Sequence, residues 1–231
     1  MNELLEFLSD YGFSRLGHRL SEPIVINCVP GAGKTHLINQ LLEVSDNFEA
    51  YTTSSPGQVN LNGKSIKHIS EFKASDKLIL IDEYQNLKEI PKGTFAVFGD
   101  PLQAGKPLIL PANFVCYTSR RFGKNTASLL SSLGFKVQSN LEDEVIKEDI
   151  FIGEPEGQII CFEVEVINLL KAHKLEFLTS CTSQGKSFKI VTFITTGLIT
   201  VENRHEHLIC LSRHTSKLKI LSPQAKYPSE E

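Results

Sequence analysis

Four short apolar runs in the first half of this chain each stop at polar residues suited to chemistry, and no other feature constrains the fold as tightly. Ile24-Val25-Ile26 leads to a glycine turn, Lys77–Ile81 to Asp82-Glu83, Thr94–Phe98 to Gly99-Asp100-Pro101, and Phe114–Thr118 to Ser119-Arg120-Arg121. Continuous apolar runs belong to strands buried on both faces, as in a parallel sheet covered by helices. In such sheets ligands gather outside the carboxyl ends of the strands. The expected fold class is α/β with parallel sheets.

The turn Pro30-Gly31-Ala32-Gly33-Lys34-Thr35 stands between the first run and the helix-like His36–Leu42. Strand, glycine turn and helix in that order make a phosphate cradle. Backbone N–H groups point inward, the positive end of the helix dipole faces the anion, and Lys34 adds a full charge. These residues are the expected nucleotide contacts, with the Thr35 hydroxyl placed to ligate Mg2+. Cys28 occupies the first glycine position of the G-x-x-x-x-G-K-[ST] pattern, while the tight part, Gly31 to Thr35, is complete.

Asp82 at a strand end suits the same metal, and Glu83 beside it suits the orientation and deprotonation of an attacking water. Asp100 and Gln103 follow the next strand, where they could reach a terminal phosphate or the lytic water. Taken alone, Gly99-Asp100-Pro101 is ordinary turn chemistry.

Composition narrows the function classes. The 231 residues carry a net charge of −3, so no global basic field advertises nucleic acid, and RNA binding would need a local groove. Five cysteines without a CxxC pair argue against a disulfide framework or a structural zinc site. No apolar stretch approaches the ~20 residues that span a bilayer. Glu3, Glu6 and Asp10 leave the first residues without the basic start of a leader. The expected location is cytosolic, with no direct membrane insertion.

The spacing of Leu4, Leu5, Leu8, Tyr11 and Leu16 predicts a short helix within residues 3–20, and Phe48–Thr53 a further strand. A second α/β set is expected beyond a boundary near residue 122, with strands near 158–162, 175–179, 188–194 and 217–221 and a helix near 163–173. The acidic run from Glu142 to Asp149 reads as a solvated linker or surface, His205 and His207 as a solvated helix face, and 222–231 as a disordered tail.

The ordered series Pro30–Thr35, Ile81–Gln85, Gly99–Gln103, Ser119–Arg121, Thr182–Phe188 and Leu211–His214 resembles the motifs of superfamily-1 viral RNA helicases across residues 24–221. With Tyr11-Gly12-Phe13-Ser14-Arg15 and the chain length, it resembles more narrowly the first-protein family of the plant-virus triple gene block. The resemblance implies two small RecA-like lobes, 1–122 and 123–221, with a nucleotide cleft between them. It implies that Arg121 and Arg213 stabilise charge on the γ-phosphate, a task that suits a permanently charged guanidinium fork. It further implies that Gln184 and Ser187 couple nucleotide to RNA, and that Thr52, Thr53 and Ser54 contact the RNA backbone.

ATP hydrolysis with weak helicase-like activity is the expected chemistry. By resemblance, its purpose is transport of the viral genome through plasmodesmata to neighbouring plant cells and suppression of host RNA silencing. The implied partners are single-stranded viral RNA, coat protein, other movement proteins, host silencing factors and further copies of the chain, in the host cytoplasm. An interaction protein with a structural nucleotide site is the alternative. A small-molecule kinase would use only the first motif.

Overall fold

The computed structural model describes residues 2–229 except His18 and Leu61. The chain divides into two compact units, Met1–Thr118 and Ser119–Glu231.

In the first unit, helix α1 (Asn2–Asp10) buries Leu4 and Leu8. A short strand β1 (Ser14–Arg15) precedes β2 (Ile24–Cys28), helix α2 (Lys34–Val44) and β3 (Phe48–Thr52). Then come β4 (Lys67–His68), β5 (Leu78–Asp82), β6 (Thr94–Gly99) and β7 (Phe114–Cys116). The sheet order is β1-β7-β2-β6-β5-β3-β4. The strand pairs are parallel except β1 with β7. The apolar runs therefore form the parallel strands expected of them. Val25, Tyr51, Ile79, Ile81, Tyr84 and Val97 make one buried cluster, and the alternate residues Ile24, Ile26, Leu80 and Phe98 are also fully buried. Burial on both faces is what a continuous apolar run requires.

In the second unit, α3 (Lys124–Ser132) precedes β8 (Glu144–Asp149), β9 (Gln158–Cys161), α4 (Val164–Ala172), β10 (Leu178–Thr179) and α5 (Ser180–Ser183). It ends with β11 (Phe188–Ile194), α6 (Arg204–Leu211) and β12 (His214–Ser222). The sheet order is β8-β12-β11-β9-β10, all parallel. Ile159, Cys161, Val166, Leu170, Ile194 and Leu221 form a core of its own.

The division falls after Thr118, four residues before the expected boundary near 122, and three other expectations need correction. The Ser119 hydroxyl accepts from Arg121 N, the Ser139 hydroxyl donates to the Phe122 carbonyl, and the Phe122 ring lies 6.2 Å from that of His214. The acidic run is not a linker: Glu144–Asp149 is strand β8, paired in register with β12. Its charges are matched by Lys217 and by Lys219, whose ammonium lies 3.0 Å from Glu148. His207 is not solvated. Its ring is fully buried between Phe162 and Phe193, and its nitrogens meet the Tyr227 hydroxyl at 2.9 Å and the Leu198 carbonyl at 3.1 Å.

The end of the chain is packed as well. Tyr227 is buried, its carbonyl accepts from Lys147 Nζ at 2.7 Å, and Ser229 N donates to Gly197 O. Only Glu230 and Glu231 of the expected tail lie outside the described residues.

Candidate functional site

In the first unit the candidate residues follow the carboxyl ends of the parallel strands. β2 pairs with both β6 and β7, so the chain turns from one side of β2 to the other between its last two strands. That reversal is the topological position where α/β sheets open a ligand crevice. Pro30 to Thr35 follow β2, Asp82 closes β5, Asp100 follows β6, and Thr52 closes β3.

The phosphate turn reaches αL geometry at Gly31 and Gly33, and α2 starts directly after Gly33. Cys28 needs no glycine conformation, because it is the last residue of β2, in register with Cys116. Burial pushes its thiol well above the ordinary thiol range.

Side chains from three strand ends meet there. The Thr35 hydroxyl donates to Asp82 Oδ2 at 2.8 Å, and Lys34 Nζ lies 3.4 Å from Glu83 Oε1. Burial works to lower the Lys34 pKa, but Glu83, Cys28, Asp82 and Asp100 together raise it. Asp82 is pushed up to about 6 by burial and by Glu83, against Lys34 and the Thr35 hydrogen bond. Asp100 is likewise pushed up to about 6, chiefly by burial.

Two of these residues also perform turn chemistry. Asp100 caps the short turn Pro101–Gln103, accepting from Leu102 N at 3.1 Å, and Gln103 Nε2 donates to its other oxygen at 2.8 Å. Glu83 sits in αL geometry, and its carbonyl accepts from the Thr53 hydroxyl at 2.9 Å. Thr52 is buried and its hydroxyl accepts from Ser54 N at 3.1 Å. Thr52 and Thr53 thus spend hydroxyl contacts on bracing the strand end and the Glu83 turn.

Sequence reasoning gave Gln85 no role, yet it joins two motifs. Its Nε2 donates to Glu83 Oε2 at 2.5 Å, and its Oε1 accepts from Asp100 N at 3.2 Å. Gly99 makes this possible: a Cβ there would stand 2.4 Å from Gln85 Oε1 and 2.7 Å from the Tyr84 ring. The sequence shows an amide two residues beyond the acidic pair, but no local pattern marks its contact with Asp100 N.

In the second unit two candidates lie at the opposite, amino ends of strands. Ser187 directly precedes β11 and is exposed, and Arg213 directly precedes β12. Phe188 N donates to Arg213 O at 2.9 Å. Ser212 gathers both arginines: Arg121 donates to its carbonyl at 3.2 Å and Arg213 to its hydroxyl at 3.2 Å. Arg213 is buried, with Nε donating to Ile209 O at 3.0 Å. Gln184 closes α5, its backbone N–H donating to Cys181 O. Ser187 and Arg213 therefore sit on loops that lead from a helix into a strand.

His214 follows Arg213 and is fully buried, with Nε2 3.1 Å from Asp143 Oδ2 and 3.0 Å from Thr126 Oγ1. Asp143 also accepts from the backbone of Asn125 at 2.9 Å, at the start of α3. Burial opposes its ionisation, but these hydrogen bonds prevail and hold it at about 2.

The donor set of the first unit fits a nucleotide with Mg2+. A hydroxyl and a carboxylate 2.8 Å apart are hard oxygen donors, and a buried ammonium lies beside the N-terminus of α2.

A parallel sheet carrying this turn and acidic pair defines a P-loop protein. The profile of the viral superfamily 1 RNA helicase core domain matches residues 24–222. The PRRSV helicase is similar in fold, with a TM-score of 0.62 at 20% identity over 86% of this chain. The Arterivirus nonstructural protein 10 (helicase) solved with DNA has a TM-score of 0.57 at 16% identity over 95% of this chain. The chain spans about half the length of those two helicases, 52% and 56%.

It spans nearly the whole of its curated relatives. The movement and silencing protein TGBp1 of Poplar mosaic virus is 41% identical, covering 98% of this chain and 99% of the relative. Its counterpart in Chrysanthemum virus B is 39% identical over 99% and 100%. The chain belongs to the viral superfamily 1 RNA helicase core family and, more narrowly, to the movement and silencing proteins TGBp1.

Proposed function

We propose that this chain is an ATP-driven RNA-binding protein of virus movement that also suppresses RNA silencing. The observation that carries the nucleotide reading is the Thr35–Asp82 contact at 2.8 Å, which brings the phosphate turn and the acidic strand end into one donor set. Backbone N–H groups of the glycine turn and the Lys34 ammonium bind and orient the phosphates. Thr35 and Asp82 hold Mg2+, which when bound would offset phosphate charge during transfer. Glu83 takes a proton from water, with Gln85 and Lys34 fixing its carboxylate. Asp100 and Gln103 form the wall beside it, and Arg121 and Arg213 supply positive charge. Ser54 and Ser187, with Thr52 and Thr53 bracing the first strand end, serve the RNA backbone, and Gln184 couples RNA to nucleotide.

The relatives are named for movement and silencing; the cargo in this proposal is the viral genome, carried through plasmodesmata to neighbouring cells, and the proposed place of action is the host cytoplasm. Coat protein, other movement proteins, host silencing factors and further copies of the chain are the proposed partners. No helix among the described residues is long and apolar enough to cross a membrane.

RNA-stimulated ATP hydrolysis by wild type and Lys34→Ala tests the chemistry. Loss of at least tenfold is expected in the variant. Equal rates would sink the enzymatic reading in favour of a second one, supported by the Lys34–Glu83 ion pair: a structural site in a protein that works by binding partners.

A further inference from the structure

Tyr11, in a segment that the nucleotide chemistry leaves unused, lies along the helix that begins at the phosphate turn. Its hydroxyl donates to Gln40 Oε1 at 2.6 Å, and its ring stands 6.0 Å from that of His36. A Cβ placed on Gly33 would come within 3.2 Å of the Tyr11 ring, so the ring covers the side of Gly33 where any other residue would carry its side chain. Gly33, His36 and Gln40 are spaced three and four residues apart, one face of α2 from its N-cap onward. One side chain thus spans the αL glycine that ends the turn and the first two turns of the helix.

Tyr11 is itself held on both sides. Its N–H donates to Phe7 O at 2.9 Å at the end of α1, and Phe13 N donates to Leu8 O at 2.8 Å. Beyond them, Ser14 and Arg15 pair with Val115 and Phe114 on the sheet edge. The aromatic ring is therefore a fixed strut rather than a mobile cover.

We infer that Tyr11 is a positioning residue for nucleotide: it holds Gly33 and the start of α2 in the conformation that directs the turn's N–H groups at phosphate. A turn that is already ordered does not have to be ordered on binding, so the strut favours affinity over the rate of the chemical step. The inference rests on the proposed nucleotide site, but its effect on the turn is measurable in the free protein.

Amide hydrogen exchange of residues 31–35 should rise at least tenfold in nucleotide-free Tyr11→Ala and much less in Tyr11→Phe, which keeps the ring. Titration with a fluorescent ATP analogue should give a Kd about tenfold weaker for Tyr11→Ala, with kcat at saturation within about twofold of wild type. Leu8→Ala, a core change in α1, should lower Tm without changing that Kd. Unchanged exchange at the turn in Tyr11→Ala would overturn the inference, as would a Kd loss that Leu8→Ala reproduces at equal Tm. If wild type binds no analogue, the proposed nucleotide function fails, while the exchange result still decides whether Tyr11 orders the turn.

Discussion

Asp82 is a carboxylate kept among apolar strands at an energetic disadvantage. Its folded pKa near 6 lies above the usual 3.8, so the native state binds this proton more readily than the unfolded chain. Falling pH therefore makes this group stabilise the fold between about pH 6 and pH 4, and above pH 6 the ionised group costs on the order of 3 kcal/mol. Asp82→Asn should raise Tm by a few degrees at pH 7.5, lose that gain near pH 4.5, and abolish hydrolysis. Calorimetry at the two pH values checks it, and a lower Tm at pH 7.5 would count against the account. Residues 30 to 35, 82, 83 and 100 were legible because they sit next to apolar runs in sequence. Gln85 and Tyr11 were not, because their importance lies in what they touch: Asp100 N, fifteen positions away, and Gln40, twenty-nine away.

Among the elements, β8 shows where pattern fails. Glu144-Val145-Ile146-Lys147-Glu148-Asp149 has the composition of a solvated run, yet it is the sheet edge, where charged side chains discourage pairing with other chains. Lys217 and Lys219, which make it a strand, lie on β12, some seventy residues away. Asp143, just before β8, connects the start of α3 to His214. Its pKa of about 2 lies below the usual 3.8, so its stabilisation is complete above about pH 4 and is lost as pH falls toward 2. Asp143→Asn should lower Tm at neutral pH and flatten the loss of Tm between pH 4 and 2. Melting curves across pH 2–6 measure it, and an acid limb parallel to wild type would contradict the assignment. α4, by contrast, was readable because its apolar spacing is local.

For the whole molecule, the net charge of −3 leaves no global basic field, so the proposed RNA binding rests on a few local contacts. The affinity for single-stranded RNA should fall only shallowly with salt, with a log–log slope of about −2 to −3, corresponding to three or four phosphates. A fluorescence anisotropy series from 50 to 300 mM salt gives the slope, and a value near −7 would contradict an interface of a few local contacts. Two α/β units were legible in the sequence, because each repeats strand and helix locally. Which end of each sheet carries the chemistry was not. In the first unit the candidate groups follow their strands, whereas in the second Ser187 and Arg213 precede theirs. The place of Arg213 is therefore set by the last turn of α6, through its hydrogen bond to Ile209 O, as much as by the strand that follows it.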